Sequence, residues 1–207
     1  MLAIVDYGVG NLYSLASSLK CIGVEHAVVS DPEALRRADR IILPGVGAFA
    51  DAARKLEDSG MRDALLQEAR SGKPLLGICL GMQMLFDRSF EYGEHPGLGL
   101  IPGEVCPLID DIAPGLKVPH IGWNRLDVLR DDPLFKYFGN GRHVYYVHSY
   151  YAKRCEDSVL ATSEYSVPVT GVVRSGSVYG TQFHPEKSGE AGLCLLRAFA
   201  EMEGEGR

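Results

Sequence analysis

The chain has 207 residues, 46% of them hydrophobic and 23% charged, enough for one well-buried globular domain spanning 1–207. A net charge of −6 argues against nucleic acid or an anionic membrane as the main partner. Five cysteines, an odd number with no C-x-x-C pair, argue against a disulfide framework or a zinc ribbon and fit a reducing cytoplasm. The start, MLAIVDYG, lacks a basic region and breaks its apolar run at Asp6, so no signal peptide is expected. No apolar run approaches the roughly 20 residues of a membrane span. Cys21, Cys106, Cys155 and Cys194 read as small buried hydrophobes.

The first half alternates. Residues 2–5 read as a strand, 11–22 as a helix, 26–30 as a strand, and Asp31-Pro32 opens a short helix. Strand 40–43 follows, then helices 48–57 and 61–70 around Ser59-Gly60, strand 75–79 and helix 80–86. This cadence predicts an α/β fold with a mostly parallel sheet covered by helices on both faces. The second half differs. Residues 91–103 carry repeated Gly and Pro and read as loop. Short β-branched and aromatic runs at 118–121, 125–129, 143–147, 159–162, 169–173 and 178–183 read as added antiparallel strands. A last helix is expected over 188–202, followed by a frayed tail, EGEGR. No metal or cofactor is expected, since no Cys and His cluster has ligand spacing.

The segment LLGICLGMQMLF (75–86) puts Cys79 where a strand gives way to a helix. Ligands in open α/β sheets bind at the carboxyl ends of the strands. G-x-C-x-G is the cysteine form of a nucleophile elbow, whose flanking glycines let backbone approach a strained turn and push the side chain out. The helix that follows points free N–H groups and its positive dipole end at the sulfur, favouring thiolate. The N–H of Leu80 is then placed to bind an oxyanion. In TQFHPEKS (181–188), Pro185 biases His184 to extended geometry, so Glu186 falls on the same side and orients the imidazole. Cys79, His184 and Glu186 thus fill the roles of nucleophile, base and orienter. In LPGVGAF (43–49), Val46 or Gly47 is placed to supply a second oxyanion N–H. Gly45-x-Gly47-x-x-Ala50 also matches a dinucleotide fingerprint. It follows the third strand rather than the first, and Pro44 precedes it.

With these pieces on one chain, the sequence resembles the class I glutamine amidotransferases. The stretches IVDYGVGNLYSL (4–15), LPGVGAF, GICLGMQMLF (77–86), VPHIGWN (118–124), YYVHSYY (145–151) and GTQFHPEKS (180–188) resemble one branch, the glutaminase subunits of imidazole glycerol phosphate synthases. The resemblance implies a flavodoxin-like open sheet and release of ammonia from glutamine through a γ-glutamyl thioester on Cys79. It implies a heterodimer with a (β/α)₈-barrel cyclase that uses the ammonia in histidine biosynthesis. Gln83 would contact glutamine, and the backbone at His148, Ser149 and Tyr150 would hold its α-amino and carboxylate groups. Asn11, Pro119, Trp123, Tyr145 and Lys187 match positions that face the cyclase in that family. Ile121 departs from the methionine of some members and keeps the position apolar.

Three rival readings remain at this stage: the amidotransferase subunit of another synthase, a free-standing thiol hydrolase of γ-glutamyl compounds, and a non-catalytic module on the same fold. PHIGWN with PGVGAF points away from the first, and the intact Cys-His-Glu set away from the last. Low activity is expected for the isolated chain, with the glycine peptides at 44–47 withdrawing an oxyanion donor until a partner binds.

Overall fold

The computed structural model describes residues 1–204. The parallel part of the sheet uses β1 (Leu2–Val5), β2 (His26–Val29), β3 (Arg40–Leu43) and β4 (Leu75–Ile78). They are joined by α1 (Leu12–Cys21), α2 (Pro32–Arg36), α3 (Phe49–Asp58) and α4 (Met61–Arg70), and α5 (Leu80–Gln83) follows β4. The helix starts obey local chemistry. Asn11 accepts from the Ser14 N–H, and Asp31 accepts from the Ala34 N–H with Pro32 just inside the helix. In α3 the buried residues Phe49, Ala52 and Leu56 recur at helical spacing. β1 and β4 are buried at every position, as strands covered on both faces must be.

Beyond α5 come β5 (Phe86–Ser89), β6 (His95–Pro96), β7 (Ile101–Pro107), β8 (His120–Arg125), β9 (Asp127–Val128), β10 (His143–His148) and β11 (Tyr150–Lys153). Then come β12 (Val159–Glu164), β13 (Pro168–Ser175), β14 (Val178–Thr181) and α6 (Gly189–Ala200). The large sheet runs β2-β1-β3-β4-β14-β13-β12-β9. It is parallel as far as β14 and antiparallel from there on. One core cluster gathers Leu35, Phe49, Leu56, Met61 and Leu65 from α2, α3 and α4. The other gathers Leu15 and Leu19 from α1 with Leu195, Leu196 and Phe199 from α6. Helices therefore cover both faces, as expected.

Several expectations need correction. The helix at 80–86 ends after one turn at Gln83, and β5 starts at Phe86. The stretch 91–103 is not all loop, because it contains β6 and the start of β7. β5, β6, β7 and β11 form a separate small sheet, in which Phe86, Ile101, Val105 and Ala152 turn into the core. The strands expected at 118–121 and 125–129 are instead β8 and the two-residue β9, with a cis peptide at Val118-Pro119. β8 pairs only with β10, as a ribbon apart from the main sheet. Of the four cysteines read as buried, only Cys155 is; Cys21 is exposed, and Cys106 and Cys194 are half-buried. Residues 203–204 of the expected tail are described, and 205–207 lie outside the described residues. No helix among the described residues is long and apolar enough to cross a membrane.

The joint between β4 and α5 is tight. A Cβ on Gly81 would sit 1.9 Å from the Leu43 carbonyl oxygen, and one on Gly77 would sit 2.7 Å from Met82 backbone. We expect Gly81→Ala to destabilise the fold by about 1–3 kcal/mol, the usual cost of overpacking. Thermal denaturation should show a midpoint lower by roughly 2–4 °C per kcal/mol. An unchanged midpoint would mean that the approach of α5 to β3 is not a constraint.

Candidate active site

Cys79 occupies the turn with φ 54° and ψ −110°, a positive φ that non-glycine residues rarely adopt. Its N–H donates to the Thr181 carbonyl at 2.7 Å, which ties the turn to the end of β14. Because β14 lies beside β4 in parallel, the residues that follow both strands emerge at the same edge of the sheet. That places His184 beside Cys79. The turn does not push the side chain out to solvent as expected: Cys79 is 7% exposed and sits in the wall of a cavity.

His184 has extended backbone, as Pro185 requires, but Glu186 does not reach it along an extended chain. A single 3₁₀ turn, Pro185–Lys187, brings the carboxylate back, and Oε1 of Glu186 accepts from Nδ1 of His184 at 2.8 Å. Both side chains are almost fully buried. Nε2 of His184 is buried and makes no hydrogen bond, which leaves it free on the Cys79 side. Burial favours the neutral ring, yet Cys79 and Glu186 outweigh it and push the His184 pKa up to about 9. The backbone is clamped as well. His184 N–H donates to the Tyr145 carbonyl at 3.0 Å, and the Ser188 hydroxyl donates to the His184 carbonyl at 2.7 Å.

The cavity measures about 280 Å³. Val46, Gly47, Cys79, Leu80, Gln83, His148, Ser149, Tyr150 and His184 all line it, so the residues expected for nucleophile, base, oxyanion and substrate contacts are brought together. Gly47 has φ +97°, and Val46 is 41% exposed. Pro119, expected at the partner face, also borders this cavity. Asn11 borders a smaller void that it shares with Val46, His184 and Glu186. Trp123, 56% exposed, meets Tyr145 edge-on at 6.0 Å between ring centroids, and the Lys187 ammonium lies 5.9 Å from the Tyr145 ring.

Some residues at this site escaped the sequence reading. Glu91 is the carboxylate on the cavity wall, and it also accepts the Phe49 N–H at the start of α3. Its Gly- and Pro-rich surroundings read as featureless loop. Gln182 donates toward the Cys79 sulfur at 3.8 Å; alternation from His184 could have marked it. Tyr7, buried, donates to the Pro44 carbonyl at 2.8 Å and so tethers the start of the Gly45–Gly47 loop; burial raises its pKa. Gln83 does not point freely into the cavity. Its amide donates to the Tyr150 carbonyl and to Gln182. Among the described residues no group of His, Cys, Asp and Glu is placed to hold a metal ion.

A buried cysteine on a strained strand-to-helix turn shares a cavity wall with a carboxylate-bound histidine, the arrangement that thiol-dependent acyl transfer needs on an α/β sheet. The family model for class-I glutamine amidotransferases matches residues 3–201. Imidazole glycerol phosphate synthase subunit HisH of Bacillus cereus is 50% identical over 199 residues, covering 96% of this chain and 93% of the relative. The HisH subunits of Methanothermobacter thermautotrophicus and Listeria monocytogenes are 49% and 47% identical, each covering 98% of this chain and 98% and 96% of the relative. A solved glutamine amidotransferase superposes with a TM-score of 0.75 at 25% identity, covering 96% of this chain and 97% of that one. The chain belongs to the class-I glutamine amidotransferases, in the branch of the imidazole glycerol phosphate synthase HisH subunits.

The raised His184 pKa makes a prediction that needs no substrate. The ring should be an imidazolium below about pH 9 and neutral above it. A histidine NMR titration reads this directly. Glu186→Gln removes one of the causes that raise the value, so the apparent pKa should fall toward the ordinary histidine value near 6.5. No movement in the variant would separate Glu186 from His184.

Proposed function

We propose that Cys79, His184 and Glu186 hydrolyse glutamine to glutamate and ammonia, and that the ammonia passes to a separate (β/α)₈-barrel cyclase in the cytoplasm. The observation that carries this reading is the paired geometry of His184. One ring nitrogen is fixed by Glu186 at 2.8 Å, and the other is left unbonded beside the Cys79 turn. The thiolate attacks the amide carbon of glutamine. The N–H groups of Leu80, first in α5, and of Val46 or Gly47 hold the oxyanion. His184 delivers its proton to the departing ammonia, then takes one from the water that hydrolyses the γ-glutamyl thioester.

The cavity suits the substrate. A free amino acid brings an ammonium and a carboxylate, and the cavity wall offers the Glu91 carboxylate together with polar backbone at Ser149 and Tyr150. The partner reading draws on the HisH relatives, named as subunits of a synthase. It also draws on exposed apolar residues: Ile121 and Trp123 on β8, where Trp123 and Lys187 both meet the Tyr145 ring, and Val46, which borders the cavity with Pro119. An exposed tryptophan beside a tyrosine and a lysine suits an interface anchor.

Glutamine hydrolysis should be slow for the chain alone and rise strongly with a histidine-pathway cyclase subunit and its nucleotide ligand. Cys79→Ala should abolish it, by at least ~10³-fold, as loss of a catalytic nucleophile does. The same complex should still use free ammonium, because the acceptor chemistry lies in the partner. Vigorous hydrolysis by the chain alone, unchanged by the cyclase, would favour a free-standing thiol hydrolase. Retained glutamine-dependent activity in Cys79→Ala would overturn the nucleophile assignment.

A further inference from the structure

A chain of polar side chains runs along the cavity wall and has no part in the mechanism above. It begins at the half-buried Asn124 on β8 and continues through the buried His120 and His148. The Asn124 Oδ1 accepts the Arg125 N–H at 2.8 Å, and its Nδ2 donates to the Glu164 carbonyl at 2.9 Å. Two backbone groups therefore fix which end of the amide is which. The second Nδ2 hydrogen points at Nε2 of His120, 3.3 Å away, so that nitrogen must accept. A neutral histidine with one accepting nitrogen donates from the other. His120 Nδ1 then donates to Nε2 of His148 at 3.0 Å. His148 Nδ1 in turn donates to the Tyr150 carbonyl at 2.9 Å.

The other end demands the same tautomers. A carbonyl can only accept, so Nδ1 of His148 must carry the hydrogen and Nε2 must accept. Both ends thus impose one direction on the chain. Burial holds the two rings neutral, lowering His120 to about 4 and His148 to about 3, the latter with help from His120. His120 is also held in place by stacking between Tyr146 and Tyr165, with ring centroids 4.8 and 4.1 Å away.

The Tyr150 carbonyl is a meeting point. From the opposite side it accepts from Gln83 at 3.0 Å. Gln83 spends its amide donors on Tyr150 and on Oε1 of Gln182, which leaves the Gln182 amide to face the Cys79 sulfur. One polar path therefore joins β8 to the cysteine through the backbone that walls the cavity. We propose that His120 and Asn124 are positioning residues: with His148 they form a one-way hydrogen-bond relay that fixes the Tyr150 carbonyl, and with it the Ser149–Tyr150 wall that grips glutamine. The proposal rests on the reading of this cavity as the glutamine site. β8 alternates, with His120 and Asn124 on the inner side and Ile121 and Trp123 exposed on the other. A partner seated on the outer face bears on the strand that carries the relay.

Two substitutions at one position separate relay from packing. His120→Phe keeps an aromatic ring between the two tyrosines and loses both hydrogen bonds. His120→Gln loses the stacked ring and keeps one acceptor and one donor. In the complex with the cyclase subunit, His120→Phe should raise KM for glutamine about tenfold, the usual worth of one to two buried hydrogen bonds. Its kcat and the rate of Cys79 alkylation by iodoacetamide should stay within about threefold, while His120→Gln should hold KM within about threefold. The reverse order, with Phe harmless and Gln impaired, would assign His120 to packing alone. Wild-type KM in both variants, or kcat, KM and thermal midpoint failing together, would also overturn the relay. A second readout is independent of activity and of how His120→Phe folds. Ring nitrogen NMR of the wild-type chain should show hydrogen on Nδ1 of both His120 and His148; hydrogen on Nε2 of either one would overturn the proposal. A wild-type complex that leaves glutamine intact would overturn the functional reading, and the tautomers would still decide the relay.

Discussion

The backbone turn at Cys79 governs the rest of the site. A residue with a side chain is held at φ 54°, a conformation that costs on the order of 1–3 kcal/mol and survives only where the surroundings insist on it. They do so here through close approach. α5 lies on the sheet with Gly81 against the Leu43 carbonyl and Met82 filling the space over Gly77 and Gly180. Leu75, Leu76, Ile78, Leu80 and Met82 are all buried around the turn. Each such side chain contributes about 1.5–3 kcal/mol on full burial, so the packing outweighs the strain several times over. The outcome is a thiol at the carboxyl edge of the sheet, at the start of a helix, where free N–H groups also point.

The same geometry explains why the base follows β14. Parallel pairing of β14 with β4, in the register Gly180↔Gly77 and Thr181↔Ile78, brings the next residues of each strand to the same edge. β14 stops at Thr181 rather than running to Phe183 as expected, and after Pro185 the 3₁₀ turn returns Glu186 to His184. On the far side, the β8–β10 ribbon lies outside the main sheet and forms the remaining wall through Val147 and His148. The ribbon is anchored by Val144 and Tyr146, fully buried in the core cluster that also holds Leu195, Leu196 and Phe199 of α6.

Much of this was legible in the sequence because the first half repeats strictly and its motifs carry their own mechanics. The alternation of strands with helices through residue 79 followed from periodicity, and the starts of α1 and α2 from Asn11, Asp31 and Pro32. The Cys79 elbow followed from two glycines whose removal the packing forbids. The second half was harder. The apolar residues Met82, Met84, Leu85 and Phe86 favour continuing the helix after Cys79 to Phe86; the chain instead uses Phe86 as the first residue of a strand. The small sheet of β5, β6, β7 and β11 depends on pairing across more than 40 residues of chain, which local pattern does not encode. Glu186 reached its place through a turn rather than along an extended strand. Glu91 and the His120–His148 pair became visible only as neighbours in space.

The most direct test of the account is to quench the chain with acid during glutamine turnover, in complex with the cyclase, and to find the covalent adduct by peptide mass spectrometry. A γ-glutamyl group should appear on the peptide that holds Cys79 and be absent when Cys79 is replaced by alanine. A glutamyl adduct on any other residue would contradict the nucleophile role of Cys79, and so would an adduct that persists in Cys79→Ala.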